Sequence, residues 1–269
     1  MYRRIVVALD GSRFAETIIP YAARMAESMG IRLAIVRVSR QEDTFQAKTY
    51  VDNIASMVDA EGEVVTADAE PGKALLDALR EGPESLMAMT THGRSGLMES
   101  LLGSVASTIV SKATGPVLLL RPRQEASDLT DRRSISTVLA TLDGNEHSER
   151  VLPHAASLAK NLGADLKLIQ VIPERVALEP ALKGDVLESS YVHARAMRVR
   201  DQFGLEPDWE VLHGDPARAI CDHVGDIDDG MLAMASHARK GLAKTVLGSV
   251  TGECVRRCGV PVLVLGPNV

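Results

Sequence analysis

The sequence predicts an α/β protein of two tandem doubly wound domains, each a five-stranded parallel sheet flanked by helices. Three observations carry that expectation. Short, unbroken apolar runs alternate with stretches of helical spacing, which is how strand–helix–strand units read. The runs lack an outward polar face, as strands covered by helices on both sides do. The whole pattern then restarts near residue 135.

The first strand is Arg4-Ile5-Val6-Val7-Ala8-Leu9, ended by Asp10-Gly11-Ser12. Residues 14–29 carry helical spacing through Ile18, Ala22, Met25 and Met29; Gly30 is the stop, and Pro20 predicts a kink or a loose first turn. Residues 33–38 form the second strand, and 41–60 are ambiguous, turning helical around 51–58. Strands at 63–67, 86–89 and 116–120 alternate with helices at 72–79 and 104–112. Right-handed crossovers then give a parallel sheet.

The doubling is visible in the letters. Ile135 through Asn145 matches Ile5 through Ser12, and Pro153 repeats Pro20 at the interval that separates Asp143 from Asp10. Residues 166–171 repeat 33–38. By Gly103 and Gly248 the interval has grown from 133 to 145 residues, so the second copy holds twelve more, placed in a longer helix at 186–201. The later strands of that copy fall at 208–212, 230–235 and 260–265. Residues 121–134 are polar and mixed in charge and read as a linker.

Composition narrows the function classes. Net charge is −6 and only 3% of residues are aromatic, which argues against a nucleic-acid or anionic-membrane partner. No apolar run approaches the roughly 20 residues of a membrane helix. The start, Met1-Tyr2-Arg3-Arg4-Ile5, is strand-like and shows no separate signal region, so a soluble cytoplasmic protein is expected. The three cysteines, Cys221, Cys254 and Cys258, are an odd count and are expected to be reduced. Cys254 and Cys258 share a helix face; that spacing can bind metal, although two buried core thiols is the favoured reading. Asp222, Asp226, Asp228 and Asp229 lack the spacing of a calcium loop and read as solvated surface.

The chemistry concentrates in Thr90-Thr91-His92-Gly93-Arg94-Ser95-Gly96 and Leu102-Gly103-Ser104-Val105, between the fourth strand and the next helix. Backbone N–H groups in a glycine loop and at a helix start can face an anion. The pattern echoes at Ala235-Ser236-His237-Ala238 and Leu247-Gly248-Ser249-Val250. In open α/β sheets ligands sit outside the carboxyl ends of the strands, where the winding reverses. If the first and fourth strands are neighbours, Asp10 and this loop face one crevice. A nucleotide fits these parts: its base at the Val38 backbone, its sugar at Asp10, its phosphates at Gly93, Gly103 and Ser104, with Arg94 reaching a phosphate. Asp10 either bonds a ribose hydroxyl or holds a Mg²⁺ bridged to phosphates. Ala8, Leu9, Thr90, His92 and Val105 complete the expected contacts, and Asp143, Val171, Gly248 and Ser249 form a weaker second set. Each feature also has a plainer reading: Asp-Gly as a turn, His92 and His237 bonded to backbone, Ser104 as a helix cap.

Residues 5–12, Thr91-His92-Gly93-Arg94-Ser95-Gly96-Leu97, Leu101-Leu102-Gly103-Ser104-Val105 and Gly214-Asp215-Pro216-Ala217 resemble the universal stress protein family over nearly the whole chain. The resemblance implies a tandem member: domains at 1–122 and 135–269, a linker at 123–134, and the adenine-nucleotide alpha-hydrolase-like fold. It also implies pairing through the last strands, either within the chain as an intramolecular pseudo-dimer or in a homodimer.

One branch of the family binds ATP through Gly, two residues, Gly, nine residues, Gly-Ser/Thr. Here Thr90 stands at the first glycine, while Gly93 and Gly103-Ser104 keep the rest; in the second copy Ala235 and Ala238 replace two glycines before Gly248-Ser249. The resemblance therefore implies an ATP-binding stress sensor or regulator, with or without Mg²⁺. The better site lies in the N-terminal domain, the C-terminal one is degenerate, and the protein partner is unknown. The alternative is an interaction module whose two sites have decayed. No redox cofactor and no catalysis are expected: there is no Gly-x-x-x-x-Gly-Lys-Ser/Thr, and no second carboxylate or lysine is aimed at a γ-phosphate.

Overall fold

The structure is a computed structural model that describes residues 2–80, 84–91, 102–173, 184–236, 247–267 and 269, with backbone alone at 80 and 184–188. The chain divides into two compact units, Met1–Ser134 with Gly266–Val269, and Ile135–Leu265.

The first unit runs β1 (Arg4–Leu9), α1 (Ile19–Met29), β2 (Arg32–Ser39), α2 (Thr44–Val58), β3 (Glu61–Thr66), α3 (Pro71–Arg80), β4 (Ser85–Thr90), α4 (Ser104–Lys112) and β5 (Val117–Leu120). Its strands lie side by side in the order β3-β2-β1-β4-β5, all parallel. Ile5 pairs with Leu33 on one side and Leu86 on the other, so β1 is central. The winding reverses between β1 and β4, the place where such sheets open a crevice. Ile5, Val7, Ile35, Leu86, Leu118 and Leu119 are fully buried, as strands covered on both faces require.

The second unit repeats the plan with β6 (Thr137–Leu142), α5 (Glu146–Glu149), α6 (Leu152–Leu162), β7 (Asp165–Ile172), α7 (Gly184–Phe203), β8 (Asp208–His213), α8 (Pro216–Gly225), β9 (Gly230–Ala235), α9 (Ser249–Arg257) and β10 (Val262–Leu265). Its parallel order is β8-β7-β6-β9-β10.

Pro20 does not kink its helix. A 3₁₀ turn at Ala15–Ile18 comes first, and the proline then falls in the opening turn of α1, where a missing N–H costs nothing. Pro153 sits the same way in α6. Gly30 and Gly163 close α1 and α6 in the left-handed conformation, at φ 62° and 64°. The ambiguous segment becomes α2 because Ala47, Val51, Ile54, Ala55 and Val58 form one buried stripe. Its counterpart α7 is 20 residues long against 15, which takes up part of the extra length of the second copy.

Each unit holds the same half-buried polar bond. Tyr50 Oη on α2 donates to Glu16 Oε1 at 2.8 Å, and Tyr191 Oη on α7 donates to Glu149 Oε1 at 2.9 Å. A guanidinium covers each ring: Arg37 lies 5.1 Å from the Tyr50 centroid and Arg195 lies 4.8 Å from that of Tyr191. Burial, then the glutamate, pushes both phenols up, Tyr191 to about 12.

Residues of the 121–134 segment pack on the first unit. Ala126 is buried, donates its N–H to the Arg13 carbonyl at 3.1 Å and accepts from Arg13 Nη2 at 2.8 Å. The expectation of three reduced thiols is corrected: Cys221 and Cys258 form a disulfide, and Cys254 is the buried free thiol. Spacing along the chain hid this bond, because it joins α8 to the end of α9 across 37 residues. Asp222, Asp226, Asp228 and Asp229 are all exposed. Among the described residues no helix is long and apolar enough to cross a membrane.

Candidate functional site

At the carboxyl ends of β1, β2 and β4 the first unit holds a cavity of about 790 Å³. Every described residue of the expected first site lines it: Ala8, Leu9, Asp10, Val38, Thr90, Gly103, Ser104 and Val105. His92, Gly93 and Arg94 lie outside the described residues.

Three elements build this cavity. The first is the turn after β1. Asp10 Oδ1 accepts from the Ser12 backbone N–H at 2.9 Å and from the Ser12 hydroxyl at 2.7 Å, and Ser12 Oγ accepts from Ala15 N at 3.2 Å. The plain turn reading of Asp10 is therefore correct locally, and the same turn fixes a half-buried carboxylate on the cavity wall.

The second element is the start of α4. Gly103 is its N-cap in an extended conformation, φ −64° and ψ 163°, and among the described residues no side chain caps the helix. The Gly103 N–H donates to the Thr91 carbonyl at 2.8 Å, which clamps the helix start to the end of β4. Ser104 is not the cap; it is the first helical residue and is exposed. The first-turn N–H groups of Ser104, Val105 and Ala106 thus open on the cavity at the positive end of the helix dipole, an arrangement suited to an anion. A Cβ at Gly103 would stand 3.3 Å from the Thr91 oxygen, so glycine permits the close approach. Thr90 ends β4, is buried, and lines the cavity without closing it.

The third element is the end of β2. Beside half-buried Val38, the side chains of Arg37 and Arg40 line the cavity, together with Asp43 and, from the segment after β3, Asp68. Sequence reasoning missed these four. The available signal was position: a residue next to Val38 at a strand end, or in the loop that follows β3, borders the same crevice in a doubly wound sheet.

The second unit holds a related cavity of about 600 Å³, which Asp143, Val171, Gly248 and Ser249 all line. Gly248 caps α9 in an extended conformation, and its N–H donates to Ser236 Oγ at 3.0 Å. Asp143 is exposed and accepts from Asn145 N at 3.0 Å. Charge separates the copies. Among the described residues no arginine or lysine lines the second cavity, and Gln170 occupies the position that Arg37 holds in the first.

Each of the two α/β units thus opens a ligand-sized crevice at its winding reversal, beside a helix that starts at a glycine. The universal stress protein family model matches residues 1–121 and 134–266, so the chain belongs to that family. Universal stress protein Slr1230 of Synechocystis is 23% identical over 97% of this chain and 99% of its own. Universal stress protein YxiE of Bacillus subtilis is 26% identical over 45% of this chain and all of its own. The crystal structure of a universal stress protein from Archaeoglobus fulgidus superposes with a TM-score of 0.77 over 99% of both chains at 20% identity, which establishes the fold.

Proposed function

We propose that this chain is an ATP-binding stress-response regulator whose nucleotide sits in the first unit. The supporting observation is one 790 Å³ cavity that gathers a carboxylate, a strand end with two arginines, and a helix start capped by glycine. That volume is in the range of small-ligand pockets. In this reading the triphosphate lies against the α4 N-terminus and Ser104, the ribose bonds Asp10, and the adenine lies at Val38. Arg37 and Arg40 draw the polyanion in. Were a Mg²⁺ to accompany the nucleotide, Asp10 would hold it in place of the ribose, and the ion would offset phosphate charge. Among the described residues the second crevice has no arginine or lysine on its wall, so in this reading it binds more weakly or holds a less charged ligand.

No turnover belongs to this reading: occupancy of the crevice by ATP is the signal, read by a protein partner or a second copy, in the cytoplasm. The alternative, an interaction module with decayed sites, draws on Thr90 at the expected glycine. Identification of nucleotide carried through purification, followed by calorimetric titration of ATP, decides between them. Wild type should bind one ATP in the first unit, with binding weakened about tenfold or more by Asp10→Ala, as loss of a charged hydrogen bond implies. Equal binding by wild type and Asp10→Ala, or none by either, refutes the proposal.

A further inference from the structure

Cys221, Cys254 and Cys258 bring their sulfurs within 4.8 Å of one another between α8 and α9. We propose that the reduced cluster is a binding site for one soft, thiophilic metal ion of the Zn²⁺ class, held by three thiolates and blocked while Cys221 and Cys258 are joined in their disulfide.

The geometry comes first. Three sulfurs bound to one such ion at about 2.3 Å stand about 4 Å apart. Cys254 and Cys258 are one turn apart, the first on α9 and the second at its C-cap, while Cys221 faces them from α8. The Cα atoms of Cys221 and Cys258 are 4.7 Å apart, so once the disulfide is opened by a dithiol or phosphine reductant, side-chain rotation alone reaches the required spacing.

The duplicated chain supplies an internal control. The positions that match these cysteines in the first unit, at the interval relating Gly103 to Gly248, are Leu76, Ile109 and Ala113, all buried and apolar. The α3–α4 contact thus needs no sulfur. Three independent replacements at one spot of the equivalent α8–α9 contact exceed what packing asks for.

The surroundings suit a cation. Cys254 is fully buried while Cys221 and Cys258 are half-buried, which gives one dry face and one route of entry. Arg256 and Arg257 are engaged by Glu253, and the Asp215 side chain caps α8 through Arg218 N at 2.9 Å. On binding, each thiol loses its proton to solvent, and the metal–sulfur bonds take its place.

The test uses full-length protein, phosphine-reduced or oxidised, titrated with Cd²⁺ as a spectroscopic probe and with Zn²⁺. Reduced wild type should take up one ion per chain, with thiolate–metal charge-transfer absorption. Oxidised protein should take up none. Cys254→Ser retains the disulfide pair, so its fold is checked in the oxidised state by circular dichroism; reduced, it should bind at least about tenfold more weakly. Absence of stoichiometric uptake by reduced wild type overturns the proposal, as does equal affinity in folded Cys254→Ser.

Discussion

Removal of one oxygen atom should have unequal consequences in the two copies. Tyr50→Phe deletes the donor to Glu16, a carboxylate only 9% exposed. Among the described residues no ion pair within 4.0 Å reaches Glu16, so the variant strands a buried charge, at a cost of about 2–3 kcal/mol. Tyr191→Phe deletes the matching donor to Glu149, but Arg195 Nε remains 2.7 Å from Oε1 and Arg198 lies 3.9 Å from Oε2. That carboxylate stays paired, and the loss should be near about 1 kcal/mol, the net worth of an ordinary hydrogen bond. Urea unfolding followed by circular dichroism measures both, with the slope unchanged and the midpoint moved. Adding Glu16→Leu to Tyr50→Phe removes the stranded charge and should recover most of the loss. Adding Glu149→Leu to Tyr191→Phe releases Arg195 and should deepen it. Equal costs for the two tyrosine variants, or no recovery with Glu16→Leu, would refute the reasoning.

Arg37→Gln gives the first unit the residue found at the equivalent place in the second; it should weaken ATP binding about tenfold in calorimetry and lessen its salt dependence. His154, whose pKa is lowered by burial and then by Arg150, binds its proton more readily when unfolded. Its depressed folded pKa means stability should fall as pH drops below about 6.5, the unfolded value, and thermal melts of His154→Asn between pH 7.5 and 5.5 should show a smaller fall. Gly30→Ala and Gly163→Ala meet no neighbouring atom but force a side chain into φ near 60°, so each should cost about 1 kcal/mol in urea unfolding. Gly72→Ala would press a Cβ to 2.8 Å from Thr108 Cβ, and its melting temperature should fall despite the better helix propensity.

The duplication explains which parts of the fold were legible. Unbroken apolar runs as short as Ile5-Val6-Val7-Ala8-Leu9 suit a parallel strand covered on both faces better than a helix, so strand number and type followed from run length and the alternation with helical stretches. Helix ends followed where a residue type acts locally: Gly30 stops α1 because a left-handed residue is required there. Pro20 was legible only in part. A proline announces a break, but whether it bends a helix or begins one depends on whether the preceding turn packs as 3₁₀, which is decided by burial of Ala15 and Ile18. The crevice residues Asp10, Val38 and Ser104 were legible because strand ends and helix starts are local features with a fixed relation to the sheet. Arg37 was not, since long side chains take their direction from packing, here the Tyr50 ring on α2.

The letters alone determined that one βαβ plan occurs twice, that its strands are parallel, and that a strand-end carboxylate and a glycine-started helix belong to each copy. Those features are periodic or local, so neighbours in the chain suffice to specify them. Tertiary structure decided the rest: two arginines beside Val38 on the wall of the first crevice, a glutamate that meets two arginines in one copy and a tyrosine-bonded one in the other, and three cysteine sulfurs at one point of the α8–α9 contact. Each of these joins residues tens of positions apart, whose proximity exists only once the sheet has ordered its strands.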